Sequence, residues 1–272
     1  MKTMKIIFLI AVFGTLLMSN SGFAQDDKSY LVTVTKLHWN QENKNFSNDE
    51  WIATEKEFLD KVTKKNPFIV SSEVLMHSFT DDNTELLLVT MYEKWEDIEK
   101  AGDKDDELIK AGWPDEKARN AYFEKRGQYY ARNHSDEIYA TIPGGKIPKG
   151  NFDKDMIYYV RVNHFDYPKE GTDKEFKDLQ KQYFDAVINK NDLVKAYYPN
   201  RHAWGADNTQ FTEVFVVDSL ADLDSALNIN WELFRATWTD DAKRKAFNDK
   251  MGKYFTGKHS DYIYKLVHEL SK

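Results

Sequence analysis

Residues His134-Ser135-Asp136-Glu137-Ile138-Tyr139 return 125 positions later as His259-Ser260-Asp261-Tyr262-Ile263-Tyr264. The same offset aligns residues 50–139 with residues 175–264 without a gap, and about 28 of those positions, close to a third, are identical. A repeat of this length means one supersecondary unit used twice, so any fold proposed for one half must be readable in the other. It also turns one chain into a two-member comparison, in which kept and changed positions can be told apart.

The N-terminus stands outside the repeat. Lys2 and Lys5 precede an apolar run over residues 6–18, and Ser21-Gly22-Phe23-Ala24 follows. This is the order of a secretory signal, with cleavage expected after Ala24. The apolar run is too short for a comfortable membrane span, which needs roughly 20 residues, so no stable span is expected after cleavage. The chain contains no cysteine, which excludes a disulfide framework, a thiolate metal site and a lipidated cysteine after the signal. Export without disulfides suits a periplasmic or secreted bacterial protein. The net charge is −7, or −9 without Lys2 and Lys5, so a nucleic-acid partner, which needs a basic face, is not expected.

Each half predicts the same element order. Residues 30–39 and 157–165 are rich in β-branched and aromatic residues and read as opening strands. A helix follows in each, with Ser47 or Asn48 as the cap of the first and Thr172 or Asp173 as the cap of the second. Its apolar stripe is Trp51, Ile52, Phe58, Leu59 and Val62, or Phe176, Leu179, Tyr183, Phe184, Val187 and Ile188. Two strands then flank Asp82-Asn83-Thr84 or Asp207-Asn208-Thr209, a turn sequence in which Asp and Asn bond their own backbone. A long helical region follows, broken near Trp113-Pro114 and Trp238-Thr239, with Thr239 read as a cap. Residues 137–142 and 262–267 are the expected last strands. The fold class is therefore α+β. It comprises a signal peptide at 1–24, a ferredoxin-like unit at 25–140, a Gly- and Pro-containing linker at 141–156 and a second ferredoxin-like unit at 157–272.

Two such units in tandem resemble the dimeric α/β-barrel superfamily. The resemblance implies two four-stranded antiparallel sheets forming a pseudo-dimeric barrel, with a pocket in the barrel or between each sheet and its helices. It also implies a range of activities: cofactor-independent monooxygenases, muconolactone-isomerase-like enzymes, haem enzymes and plain binding proteins. In the haem families one half of the tandem holds the iron through a single histidine.

Six of the seven histidines pair across the repeat: His38 with His164, His77 with His202, and His134 with His259. If they converge at one end of the sheets they form a ligand or metal site, and His134 with Asp136, or His259 with Asp261, becomes a general base. If they do not, His-Ser-Asp serves a helix-to-strand junction. No His-x-x-x-His or His-x-His spacing occurs, so no metal or cofactor is assigned. Trp113-x-Asp115-x-x-x-Arg119 recurs as Trp238-x-Asp240-x-x-x-Arg244, where an i,i+4 ion pair is expected. Recurring Gly127 and Gly252 predict close packing against the sheet. Arg161 and Asn163, against Thr35 and Leu37, have no polar match as strong in the first half, and Arg201 stands against Met76. If Arg161 and Asn163 face the barrel, they mark a polar pocket.

The expectation is an exported small-molecule-binding protein, monomeric or homodimeric, whose ligand is a small apolar or aromatic molecule. Its contacts would come from His38, His77, His164, His202, Arg161, Asn163, Arg201, Trp204, Trp238 and Arg244. The alternative is a cofactor-independent monooxygenase- or isomerase-like enzyme with a histidine base and a pocket lined by Trp204, Trp238 and Tyr264. Haem or metal binding is a lesser alternative.

Overall fold

The structure, a computed structural model, describes residues 28–272, so the signal segment lies outside the described residues. The first half runs β1 (Leu31–His38), α1 (Asn48–Lys61), β2 (Ser71–Phe79), β3 (Glu85–Tyr92), α2 (Trp95–Gly112), α3 (Glu116–Gly127) and β4 (Ser135–Thr141). The second runs β5 (Ile157–Phe165), α4 (Asp173–Ala186), β6 (Ala196–Trp204), β7 (Gln210–Val217), α5 (Leu220–Thr237), α6 (Asp241–Gly252) and β8 (Phe255–Leu266).

Each half forms a four-stranded antiparallel sheet, β4-β1-β3-β2 and β8-β5-β7-β6. The two sheets join at two seams, β2 against β8 and β4 against β6, and the eight strands close into one barrel. Closure within one chain leaves no strand edge unpaired, which removes the usual route to edge-to-edge aggregation. Among the described residues no helix is long and apolar enough to cross a membrane.

Local chemistry sets the elements. Ser47 caps α1 by accepting from Glu50 N, and Thr172 caps α4 by accepting from Glu175 N. The break between the paired helices is where the sequence places it, but Asp115 and Asp240 provide the caps and Thr239 does not. This also overturns the Asp–Arg ion pairs. Asp115 accepts from Ala118 N, and Arg119 donates to the Trp113 carbonyl at 3.1 Å. Arg244 donates likewise to Trp238 at 2.7 Å and pairs with Asp241. Gly127 and Gly252 end their helices with open space where a Cβ would stand, so close packing is not what they serve. Strand β8 begins earlier than expected, at Phe255, which pairs with Phe165 beyond a shift in register and stacks on it. The first-half counterpart, Tyr130, makes only an isolated bridge to Trp39.

The main core lies between the second sheet and α4–α6, built on Tyr159, Phe176, Leu179, Phe184, Phe211, Phe215 and Phe234. A second cluster fills part of the barrel interior, around Leu75, Leu87, Met156, Tyr158, Val216 and Tyr264. The segment between the halves is more than a tether. Lys146 is buried and donates to the Asn191 carbonyl at 2.9 Å, and a Cβ on Gly145 would stand 2.7 Å from the Tyr197 carbonyl oxygen. Ile147, Pro148, Gly150, Asn151 and Phe152 form part of the wall of the barrel cavity.

Candidate functional site

Side chains alternate across a strand, so one parity of each barrel strand faces inward. On β1 the inward set is Val32, Val34 and Lys36, and on β5 it is Tyr158, Val160, Val162 and His164. Arg161 and Asn163 therefore lie on the opposite, helix-facing side. This reverses the reading that placed them in the pocket. Arg161 Nε donates to Asp261 Oδ1 at 2.9 Å, and Asn163 Nδ2 donates to Glu213 Oε2 at 3.0 Å.

The interior holds a cavity of about 500 Å³. Its walls are mostly aliphatic and aromatic, with Val32, Val34, Val89, Val160, Val162 and Val214 around the girdle and Phe152 from the connecting segment. Three carboxylates belong to the inward side, and one of them, Glu137 of β4, opposite Val34, is engaged by His202 and the Ala206 N–H at the β4–β6 seam. Glu85 is fully buried, pairs with Lys36 at 2.5 Å and accepts from the Tyr264 hydroxyl at 2.9 Å. Glu73, on β2, has only a hydroxyl: Tyr158 Oη lies 3.0 Å from both its oxygens. Glu73 touches the cavity and is otherwise enclosed by protein. Burial pushes its carboxyl up to about 7, and the Tyr158 hydrogen bond offsets this only in part. Tyr198 of β6 lines the same cavity, and its hydroxyl has no hydrogen-bond partner among the described residues. Burial, and then the nearby Glu73 charge, raise its phenol above the usual value.

The six paired histidines do not meet at one point. His38 Nδ1 sits 3.1 Å from both Thr84 Oγ1 and Asp82 Oδ2. His164 repeats this with Thr209 at 3.0 Å and Asp207 at 3.1 Å. Each pins a strand end to the hairpin turn whose Asp-Asn-Thr is duplicated. His77 Nδ1 is 2.7 Å from Thr80 Oγ1. His202 contacts Glu137 at 3.3 Å across the β4–β6 seam. His134 and His259 are exposed and pair with Asp136 at 3.2 Å and Asp261 at 3.1 Å. Those two aspartates sit on the outer face, where Asp136 accepts from Thr35 and Asp261 from Tyr159. Burial raises the Asp261 carboxyl, but the Tyr159 hydroxyl and the Arg161 guanidinium outweigh it and hold it below the usual range. Among the described residues no group of three His, Asp or Glu side chains is placed to hold a metal ion.

Of the aromatic candidates, Tyr264 lines the cavity. Trp238 packs on Phe234 and Phe247 in the helical layer, and Trp204 is 72% exposed. Arg244 is held by the Trp238 carbonyl, outside the cavity. Arg201 and His202 line a second, separate cleft of about 630 Å³ beside Trp95, Tyr167 and Lys177. Sequence reasoning missed Glu73, Tyr158 and Tyr198. The signal was a glutamate at an inward position of a strand whose inward neighbour is Leu75, opposite Tyr198 in the repeat.

No protein-family model matches the chain, and no curated protein is detectably similar to it in sequence. Solved structures do share its fold. A Fusobacterium nucleatum protein provisionally assigned as a monooxygenase superposes with a TM-score of 0.55 at 10% identity, over 88% of this chain and 93% of that one. A mutant chlorite dismutase from Candidatus Nitrospira defluvii gives 0.51 at 9% identity, over 89% and 92%. Aromatic side chains, among them Tyr159, Phe176, Phe211, Phe215 and Phe234, fill the layer between the second sheet and its helices, and at the barrel wall Lys36 is committed to Glu85. The likeness is one of fold alone: the chain has the α/β-barrel architecture of these proteins, with both four-stranded sheets in a single chain.

Proposed function

We propose that the barrel interior binds a small apolar or aromatic molecule carrying one polar group. The observation that carries this is the cavity itself: about 500 Å³, walled by valines and aromatic rings, with one carboxyl group facing it that has no cation. Apolar walls supply affinity and a few polar groups fix orientation, which is the usual build of a small-molecule site. The basic and then apolar N-terminus supports export, so the ligand is one met in the periplasm or outside the cell.

The test is a fluorescence titration of the purified protein with the uncharged probe phenyl-naphthylamine. Saturable binding is expected, and Val160→Trp, which fills the cavity, abolishes it while the protein stays folded by circular dichroism. Binding that survives Val160→Trp, or none at all, contradicts the reading.

A second reading, an enzyme using acid–base chemistry without a cofactor, is favoured by one observation. Glu73, raised to about 7 by burial, is a carboxyl group able to carry a proton at neutral pH inside the cavity. In that reading a glutamate takes the role that the sequence suggested for a histidine.

A further inference from the structure

Two buried glutamates, Glu55 and Glu85, and two half-buried ones, Glu73 and Glu213, can be ranked by what surrounds them. Glu55 takes two hydrogen bonds from Arg126, at 2.8 and 2.9 Å, and one from Tyr130 at 2.8 Å. Glu85 has Lys36 and Tyr264. Glu213 has Tyr197 at 2.7 Å and Asn163, with Arg161 close by. Glu73 has Tyr158 alone, and it is the one of these four that lines the cavity. A buried carboxylate without a cation is costly, so structures rarely hold one for packing alone. Its place in the repeat adds to this. Glu73 corresponds to Tyr198, and Tyr158 corresponds to Val32, so nothing in the duplicated scaffold calls for this cluster.

Lining the same cavity as Glu73 are Tyr158 from β5, which is hydrogen-bonded to it, Tyr198 from β6 and Tyr262 from β8. Lys36 of β1 is committed to Glu85, and His164 of β5 to Asp207 and Thr209. Glu73, a proton acceptor, therefore shares an apolar space with two tyrosine hydroxyls, Tyr198 and Tyr262, that no described residue engages, and Tyr198 is the donor that stands near the Glu73 charge. An amine would leave the donor without a partner. A molecule with an acidic hydrogen beside an oxygen acceptor uses both.

We propose that Glu73 is a general base that removes a proton from a carbon next to a carbonyl group of an apolar substrate, with the Tyr198 hydroxyl hydrogen-bonding the carbonyl oxygen. This rests on the barrel being a small-molecule site. The carbon–hydrogen bond breaks and an oxygen–hydrogen bond forms on Glu73. The freed pair becomes the carbon–carbon double bond of an enolate, and the carbonyl pair moves to oxygen, where the Tyr198 hydrogen bond strengthens. Glu73 then returns the proton to the same carbon, giving exchange, or to a conjugated one, giving an isomer. Nothing is oxidised or reduced. Tyr158 is a positioning residue that holds the carboxylate and lowers its proton affinity.

The experiment uses the mature protein in deuterated buffer with beta-tetralone, an apolar ketone with acidic hydrogens beside its carbonyl. Displacement of the fluorescent probe reports ketone binding, and proton NMR reports exchange. Exchange at least about tenfold above buffer is expected, rising with pH through about 7. Glu73→Gln lowers the protein-dependent rate by about a hundredfold or more, and Tyr198→Phe by about tenfold, with probe binding retained in both. Tyr158→Phe moves the pH midpoint upward, because the lost hydrogen bond favours the charged form. Ketone bound with exchange at the buffer rate overturns the proposal and leaves the binding reading intact. So does an unchanged rate in Glu73→Gln. Failure of the ketone to displace a bound probe overturns the carbonyl assignment. Failure of the probe itself to bind overturns the binding reading on which the proposal rests.

Discussion

Glu85 and Glu73 enter the same barrel from neighbouring strands of one sheet, yet the fold treats them oppositely. Glu85 meets a lysine and a tyrosine and is sealed from solvent. Glu73 meets a tyrosine and an open space. The first is what folding requires of a buried charge, since an ion pair and a hydroxyl hydrogen bond offset part of the desolvation cost. The second is what folding alone would avoid. The difference marks where the barrel stops being scaffold.

The comparison breaks most sharply in alkaline solution. The Glu73 carboxyl is raised from its usual 4.5 to about 7, so its favourable contribution to stability is complete below about 4.5 and lost as pH climbs through about 7. Glu73→Gln should therefore have almost no effect at pH near 4. It should stabilise the protein near pH 9, by at most about 3 kcal/mol and by less where water in the cavity screens the charge. Urea denaturation at the two pH values measures this, and a destabilisation at the higher one would refute it. Next in size is Lys36→Met, which leaves the Glu85 charge buried and unpaired. Because Lys36 is itself partly exposed, the expected loss is about 2 kcal/mol, below the range for fully buried pairs. Adding Glu85→Leu should recover most of it in thermal denaturation. His164→Ala removes the clasp on the Asp207–Thr209 turn and should cost about 1 kcal/mol in thermal denaturation. The smallest effect belongs to His134→Ala on the exposed outer face, within about 0.5 kcal/mol.

The element order, the cap residues Ser47 and Thr172 and the helix breaks were legible because capping, turn chemistry and periodicity are local, and the repeat let each half check the other. Closure of the barrel followed from the resemblance rather than from any single residue. The site was less legible, and for a physical reason. Residues kept in both halves turned out to be joints of the scaffold. His38 and His164 hold hairpin turns, and Asn66 and Asn191 tie the end of one helical segment to the Ala101 and Ala226 carbonyls of the next. Duplication preserves what both copies need to fold. The cavity is asymmetric, so its polar residues sit where the copies differ. Arg161 and Asn163 also differ between the copies, but strand parity sends them outward, and sequence alone did not fix which parity was inward. The usable signal was narrower: a charged residue between Ser71 and Leu75 on the inward parity of β2, with a tyrosine at the matching position of β6.

The central claim is that Glu73 is an uncompensated carboxyl facing the cavity, and titrating that group tests it most directly. Isotopic carbon NMR of the glutamate side-chain carboxyls, followed from pH 3 to 9, should show one resonance with a midpoint at about 7 that disappears in Glu73→Gln. A spectrum in which that resonance titrates below about 5, with the ordinary surface carboxylates, would contradict the account.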